Sequence, residues 1–183
     1  MIYNIHAGHA KVGGGAIGAV GYLSESVEDR RIKNLVIKQL RKDGHTVYDC
    51  TTDRGTQSQV LSGIVKTCNS HAATLDVSIH FNSGVRYKKK DGKTTGTEVW
   101  VKSPSGAAAK AARRIADNIA YLGFKNRGVK STDGLYVLNR TKAPALLIEV
   151  CFVDDADDAA LYKSKYKAIA MAIVRGLEGK PYA

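Results

Sequence analysis

Ile2-Tyr3-Asn4-Ile5-His6-Ala7-Gly8-His9 and Leu75-Asp76-Val77-Ser78-Ile79-His80-Phe81-Asn82 are the two stretches whose reading decides the fold. Each is a short hydrophobic run that ends at a histidine, and each reads as a buried strand. A buried strand that delivers a histidine at its end is how an α/β protein builds a metal site. Adding a carboxylate from a nearby helix makes the set two nitrogens and one oxygen, which suits one catalytic zinc ion with a coordination position left for water. Glu25 can supply that carboxylate.

Outward from these runs, hydrophobic segments alternate with helical patterns, the signature of an α/β fold with a mostly parallel, twisted central sheet flanked by helices. The pattern predicts strands over Ile2 to His6, Thr46 to Asp49, Asp76 to Phe81, Thr97 to Lys102 and Ala145 to Cys151, in a sheet of five or six strands. It predicts helices at about Ser24 to Lys42, Gln57 to Ser70, Ser105 to Leu122 and Asp157 to Leu177. The first helix opens on Ser24 with Glu25, Glu28 and Asp29 in its early turns, where carboxylates favour the positive end of the dipole. Val27, Ile32, Leu35, Val36 and Leu40 give it an apolar face, and Gly44 is its stop.

At 183 residues and 44% hydrophobic content, the chain has room for one domain with a sizeable core. The opening residues are too polar for a secretory signal, and no apolar run approaches the roughly 18 residues of a membrane span, so no membrane insertion is expected. Cys50, Cys68 and Cys151 follow no metal-binding spacing and are expected as buried, reduced thiols. Lys and Arg number 28 against 17 Asp and Glu, a net charge of +11 that should draw the protein to a polyanion.

Two loops stand out. Gly13-Gly14-Gly15-Ala16-Ile17-Gly18-Ala19-Val20-Gly21 joins the first histidine run to the first helix, and its glycines let the backbone pass close to a ligand or ion. Residues 83–96 carry Lys88-Lys89-Lys90-Asp91-Gly92-Lys93, where Asp-Gly suits a tight hairpin turn edged with positive charge.

In an open α/β sheet, ligands collect at the carboxyl ends of the strands. His9, His80 and Glu149 should share that rim, as should Glu25, because a strand's C-terminus and the next helix's N-terminus lie on one edge. Glu149, inside Leu146-Leu147-Ile148-Glu149-Val150-Cys151-Phe152, is hard to explain structurally, since an unpaired buried charge is costly. A metal and its bound water would compensate it, and Glu149 could then take a proton from that water. The competing reading is a buried ion pair with an arginine. His45 reads as a solvated turn residue and His71 as a helix end. His6 is a neighbour of the metal site, Glu28 a solvated ion-pair partner, and Asp154-Asp155-Ala156-Asp157-Asp158 the negatively charged start of the last helix.

At these residues the sequence resembles the zinc-dependent N-acetylmuramoyl-L-alanine amidases of the Amidase_3 family, along nearly the whole chain. The family's (D/N)xGHG pattern is met by His6-Ala7-Gly8-His9-Ala10, its helical glutamate by Glu25 ahead of Gly44-His45-Thr46-Val47, and its S-x-H-x-N motif by Ser78-Ile79-His80-Phe81-Asn82. Its P-A-x-L-x-E motif is Pro144-Ala145-Leu146-Leu147-Ile148-Glu149, and Arg127-Gly128-Val129-Lys130 is similar to its R-G-V-K segment. His6 and Ala10 depart from the family pattern, and the longer glycine loop looks more like that of bacteriophage lysins.

The resemblance implies His9, Glu25 and His80 as ligands of one zinc ion and Glu149 as the catalytic carboxylate, while Asn82, two residues beyond His80 and so on the same face of an extended chain, is expected to contact a substrate amide. It implies cleavage of the amide between N-acetylmuramic acid and the first L-alanine of the peptidoglycan stem peptide, and so lysis of the wall. Lys88, Lys89, Lys90 and Lys93 could then hold the enzyme on anionic wall polymers. A monomer is expected, with no nucleic-acid partner, since zinc-finger and RRM patterns are missing. The rivals are a zinc carboxypeptidase acting on stem peptides and a non-catalytic basic wall-binding module. The lack of a signal segment suits a phage lysin held in the host cytoplasm until it is released to the wall, and a bacterial autolysin fragment would look the same. The segment Gly179-Lys180-Pro181-Tyr182-Ala183 is where a linker to a C-terminal wall-binding domain could begin.

Overall fold

Alternation along the strands sorts this sequence into two unlike faces. In β3 (Leu75–Asn82), Leu75, Val77, Ile79 and Phe81 enter the main core, while Asp76, Ser78, His80 and Asn82 fall on the other side. The same alternation places Tyr3 and Ile5 of β1 (Ile2–Ala7) and Leu146, Ile148 and Val150 of β6 (Ala145–Phe152) in that core, with Asn4, His6, Leu147 and Glu149 opposite.

The computed structural model describes residues 1–182, so Ala183, the last residue of the segment expected to lead into a linker, lies outside the described residues. Between β1 and β3 lie α1 (Glu25–Lys42), β2 (Thr46–Asp49) and α2 (Gln57–Cys68). After β3 come β4 (Thr97–Val101), α3 (Gly106–Ala120), β5 (Asn126–Ser131) and the short α4 (Tyr136–Arg140), then β6 and α5 (Ala156–Leu177). The six strands form one sheet in the order β2-β1-β3-β6-β4-β5. All neighbours are parallel except β4 and β6, which run antiparallel, so β4 and β5 point against the other four strands. Helices α1, α3 and α5 cover the main core through Ile32, Val36, Leu40, Ile115, Ile119, Ile169 and Ile173. On the opposite face, α2 and α4 make smaller clusters around Val60, Ile64 and Val137, and around Leu138 and Leu147.

The predicted α/β architecture and all nine predicted elements are present, and two elements were not anticipated, β5 and α4. Three local expectations are corrected. Residues 83–96 are no hairpin, because β6 lies between β3 and β4 and the segment must cross the end of β6. Val27 is 40% exposed and does not belong to the buried face of α1. His45 is not a solvated turn residue: its Nε2 meets Glu178 Oε1 at 3.1 Å, its Nδ1 meets the N-terminal amine at 3.1 Å, and its ring stands edge-on to Tyr3.

The acidic run caps α5 as expected, Asp155 Oδ1 accepting from the backbone N–H of Asp157 and Asp158. It also does something the sequence did not announce, which is to hold the crossing segment. Asp154 Oδ2 accepts from the N–H groups of Gly84, Val85 and Arg86 at 2.9 to 3.0 Å. Asp157 takes those of Asp91 and Gly92, Asp155 takes Thr95, and Asp158 takes Gly96. Cys50, Cys68 and Cys151 are all buried free thiols. No helix among the described residues is long and apolar enough to cross a membrane.

Candidate active site

The carboxyl ends of β1, β3 and β6 meet the amino end of α1 on one rim. Gly8 extends the pairing of β1 with β3, its N–H donating to Ile79 O at 3.0 Å, and so carries His9 to the edge. Arg30 holds the turn from beneath, donating to the His9 carbonyl at 2.8 Å and to Asp53 at 2.9 Å. Glu25 sits in the first turn of α1, buried, with Oε2 accepting from Ala19 N–H at 2.8 Å and Oε1 from Phe81 N–H at 3.0 Å. Two backbone donors therefore fix this carboxylate from the glycine loop and from β3.

His9 Nε2 and His80 Nδ1 each lie 3.1 Å from Glu25 Oε1, and the two imidazoles stand edge to face, 4.9 Å between centroids. One donor atom from each of the three residues lies within 4.8 Å of the others, and this is the one such group of potential metal ligands among the described residues. Two glycines make the room. A Cβ on Gly8 would come within 1.9 Å of the His80 ring, and one on Gly18 within 2.5 Å of Glu25 Oε2, at a backbone φ of +71° that side chains rarely adopt. Burial alone would raise the Glu25 carboxyl, but hydrogen bonds from His80 and His9 outweigh it and hold the group well below the usual carboxylate range. Burial lowers His9, and its hydrogen bond to Glu25 more than reverses that, leaving it above the ordinary value of 6.5. Two imidazole nitrogens and a pinned, ionised carboxylate fit a zinc ion by donor type and by charge.

Glu149 stands directly across from His80 in the β3–β6 register, and Glu98 of β4 stands across from Glu149 on its other side. Just beyond this point the register slips, so that Asn82 faces Phe152, a bulge of the kind that re-aims side chains beside active sites. Glu149 Oε2 is buried with no hydrogen-bond partner. Burial, with the charges of Glu25 and Glu98 added, pushes its pKa up to about 8. The rival reading of Glu149 as half of an ion pair fails, because the nearby cations are committed elsewhere. Arg127 Nε and Lys130 Nζ both bind Glu98 Oε2 at 2.6 Å, and Asn82 Nδ2 and Trp100 Nε1 donate to Glu98 Oε1 at 3.0 and 3.1 Å.

The site opens into a cleft in two lobes that share Gly134 and Leu135. One lobe, of about 210 Å³, is lined by His9, His80 and Val60; the other, of about 380 Å³, by Glu149, Asn82, Trp100 and Thr132. Asn82 thus lies in the Glu149 lobe, with its Oδ1 accepting from Ser83 N–H and its amide nitrogen on Glu98. His6 stays outside the ligand cluster: it is fully buried beside Ser78, and burial and the nearby His80 push it down to about 3, so it is uncharged. Glu28 also stays outside, bonded to the Tyr162 hydroxyl at 2.6 Å and to Arg31 at 2.9 Å, but it is buried rather than solvated. His71 follows α2 and stacks on Tyr48, 3.7 Å between ring centroids. Glu98 and Arg30 were the residues that sequence reading missed, and Arg127 and Lys130 were seen only as part of the R-G-V-K segment with no role; each acts through a long-range partner that spacing does not reveal.

The fold and this rim define a class, an α/β domain in which two histidines and a glutamate cluster at the carboxyl edge of the sheet beside an isolated carboxylate. The chain belongs to the Amidase_3 family, described as N-acetylmuramoyl-L-alanine amidase, whose profile matches residues 4–179. That family is generally zinc-dependent, and the His9–Glu25–His80 group is placed to hold a metal. Among solved structures, the chain is similar to the catalytic domain of CD27L endolysin targeting Clostridia difficile, with 30% identity, a TM-score of 0.87, and coverage of 99% of this chain and 98% of that one. It is 36% identical over 151 residues to an uncharacterised protein of Clostridium perfringens, covering 82% of this chain and 44% of that protein. It is 30% identical over 171 residues to the N-acetylmuramoyl-L-alanine amidase LytC of Bacillus subtilis, covering 88% of this chain and 32% of that one. The chain spans less than half the length of both curated relatives.

Proposed function

We propose that this chain is a zinc-dependent peptidoglycan amidase that cuts the bond between N-acetylmuramic acid and the L-alanine of the stem peptide, and thereby opens the bacterial wall. The observation that carries the proposal is Glu149, a buried carboxyl without a counter-ion, one strand over from the His9–Glu25–His80 cluster. His9, Glu25 and His80 would hold the zinc ion, which would supply there a Lewis acid able to lower the proton affinity of water and polarise an amide carbonyl. Glu149 takes the proton of the attacking water and hands it to the leaving amine, a task suited by a carboxyl whose proton affinity sits near neutral pH. Glu98 draws Arg127 and Lys130 to itself and so leaves Glu149 free to accept that proton. Trp100 and Leu135 wall the Glu149 lobe and limit water there, and Asn82 is placed in that lobe to meet a substrate amide.

The likeness to an endolysin catalytic domain supports the lytic role, to which the proposal adds a monomer held in the host cytoplasm until it reaches the wall. Lys89, Lys90 and Lys93 are exposed and add an attraction for anionic wall polymers, whereas Lys88 is spent on Asp91 and Asp155. Incubation with purified walls tests the reading. New N-terminal L-alanine should appear while glycan strands stay intact, and it should vanish on chelation and in a folded Glu149→Ala variant. Release of free D-alanine with no new L-alanine terminus, or lysis that survives removal of the metal, overturns it.

A further inference from the structure

The cleft treats the metal-ligand cluster and the isolated carboxyl unevenly. His9 and His80 line one lobe, Glu149 lines the other, and the two lobes meet at Gly134 and Leu135. Their walls differ in kind. Val60, Leu61, Val137 and Leu147 surround the lobe at the histidines. The lobe at Glu149 presents Asn82, Glu98, Trp100 and Thr132, with Arg127 and Lys130 drawn to Glu98.

The apolar lobe has a fixed shape. A capping box between Thr56 and Gln59 holds the first turn of α2, and Val60 and Leu61 follow it directly. Val60 and Val137 share one buried cluster across α2 and α4, and Leu61 packs against it. Further along, Asn69 donates to Arg140 O at 2.9 Å and accepts from Lys142 N–H at 2.7 Å, which ties the two helices a second time. Leu61 is half-buried and forms a face of the lobe, while Gln57 and Tyr136 line it as exposed residues.

An amide has two unlike halves, and the position of Glu149 settles where each must lie. The nitrogen departs as an amine and takes its proton from Glu149, so it has to come within hydrogen-bond reach of that carboxyl. The amine half therefore extends into the Glu149 lobe, whose amide, hydroxyl and charged groups suit a peptide. The acyl half is left with the apolar lobe. For a muramoyl amide that half is a lactyl ether, with a branching methyl next to the carbonyl and a sugar that leaves past Gln57 and Tyr136. The reverse placement would send the amine towards Val60, away from its proton donor.

We infer that the apolar lobe between α2 and α4 is the acyl-side specificity pocket, in which Leu61, with Val60 and Val137, selects the lactyl methyl, while the Glu149 lobe takes the stem peptide. This placement rests on the amidase reading and adds to it the direction in which the substrate lies and the residue that recognises its acyl half.

The test uses the metal-loaded chain and soluble muramoyl substrates. N-acetylmuramoyl-L-alanyl-D-isoglutamine is compared with its counterpart lacking the lactyl methyl, and with N-acetylmuramoyl-L-alanine amide, in which the peptide is shortened. Loss of the methyl should lower kcat/KM of the parent by about tenfold or more, as for a carbon removed from a hydrophobic pocket. Leu61→Asn should shrink that ratio to below about threefold and leave the ratio for peptide shortening at the parent value. Leu61→Ala should act in the same direction and serves where asparagine unsettles α2. Trp100→Ala, in the other lobe, should do the converse. Saturation-transfer NMR on the product N-acetylmuramic acid gives a readout free of turnover: the lactyl methyl should be the most strongly saturated group with the parent and lose that rank with Leu61→Asn. The placement is overturned if the Leu61 variants change the peptide ratio and spare the methyl ratio, if both ratios stay at the parent values, or if the lactyl methyl is saturated no more than the sugar protons. A parent chain that cleaves none of these substrates overturns the amidase reading, and the placement with it.

Discussion

Replacing Glu149 by glutamine separates the cost of a buried charge from the chemistry it performs. An unburied glutamate releases its proton near 4.5, whereas Glu149 keeps its own up to about 8. A raised carboxyl means that the folded chain binds more protons than the unfolded one through that window. Stability is therefore full below pH 4.5 and is lost as pH rises towards 8. At about 1.4 kcal/mol per pH unit, the charged form costs the metal-free fold on the order of 4 to 5 kcal/mol at pH 8.5, an upper figure because water reaches part of the cleft. Glutamine matches the shape and never ionises. Urea unfolding of chelator-treated protein from pH 4.5 to 8.5 should thus find Glu149→Gln close to the parent at the acid end and increasingly more stable towards the alkaline end. Reloading the metal should narrow the gap, because a nearby cation compensates the carboxylate. A gap that stays flat over this range would refute the reasoning, since it would mean that Glu149 is already neutralised in the fold. Lysis by the variant should be lost at every pH.

Gly8→Ala puts a methyl group into the His80 ring position, so metal content should fall by about tenfold or more while the circular dichroism of the sheet persists; full metal occupancy would show that the rim relaxes. The hydrogen bond to Glu25 lets His9 hold its proton above the ordinary histidine range when metal-free, so metal uptake must displace that proton, and affinity measured against a competing chelator should fall as pH is lowered. An affinity independent of pH would contradict this. Asp154→Ala strips the shared acceptor from three backbone N–H groups, which should cost about 2 kcal/mol and speed tryptic cutting at Lys89 and Lys90; unchanged cutting would mean that the neighbouring aspartates hold the segment unaided.

What could be read from the sequence, and what could not, divides along the range of the interactions involved. His9, Glu25 and His80 were legible because each sits at the end of an element with a strong local signal, and parallel topology brings those ends together. The rim followed from that topology without any contact being known. β5 was illegible because Asn126–Ser131 is an edge strand, paired on one side only, and it lacks a hydrophobic run. α4 has five residues, too few for a helical period to show. The Asp-Gly pair at Asp91-Gly92 misled because a hairpin requires its strands to be neighbours, and β6, more than fifty residues downstream, inserts between them. Glu98 was invisible for a related reason: inside Thr97-Glu98-Val99-Trp100-Val101 it is one polar residue in an alternating strand, and its partners arrive 29 and 32 positions later.

The reversal of β4 has a consequence for the chemistry. Were β4 parallel to β6, as the rest of the alternating pattern suggests, its own C-terminal end would reach the rim and Glu98 would lie one residue from its start, away from the site. Running antiparallel, β4 instead brings its beginning to the rim, so Glu98 falls beside Glu149 and carries Arg127 and Lys130 from the next strand with it. Two carboxylates and two cations then lie together, yet the charges do not pair off evenly. Both cations go to Glu98, and Glu149 is left with burial on one side and like charge on both flanks. A fold selected only for stability would have given one cation to each. The uneven pairing keeps one carboxyl able to take and give a proton near neutral pH, and it places that carboxyl one strand away from the only metal-ligand cluster among the described residues.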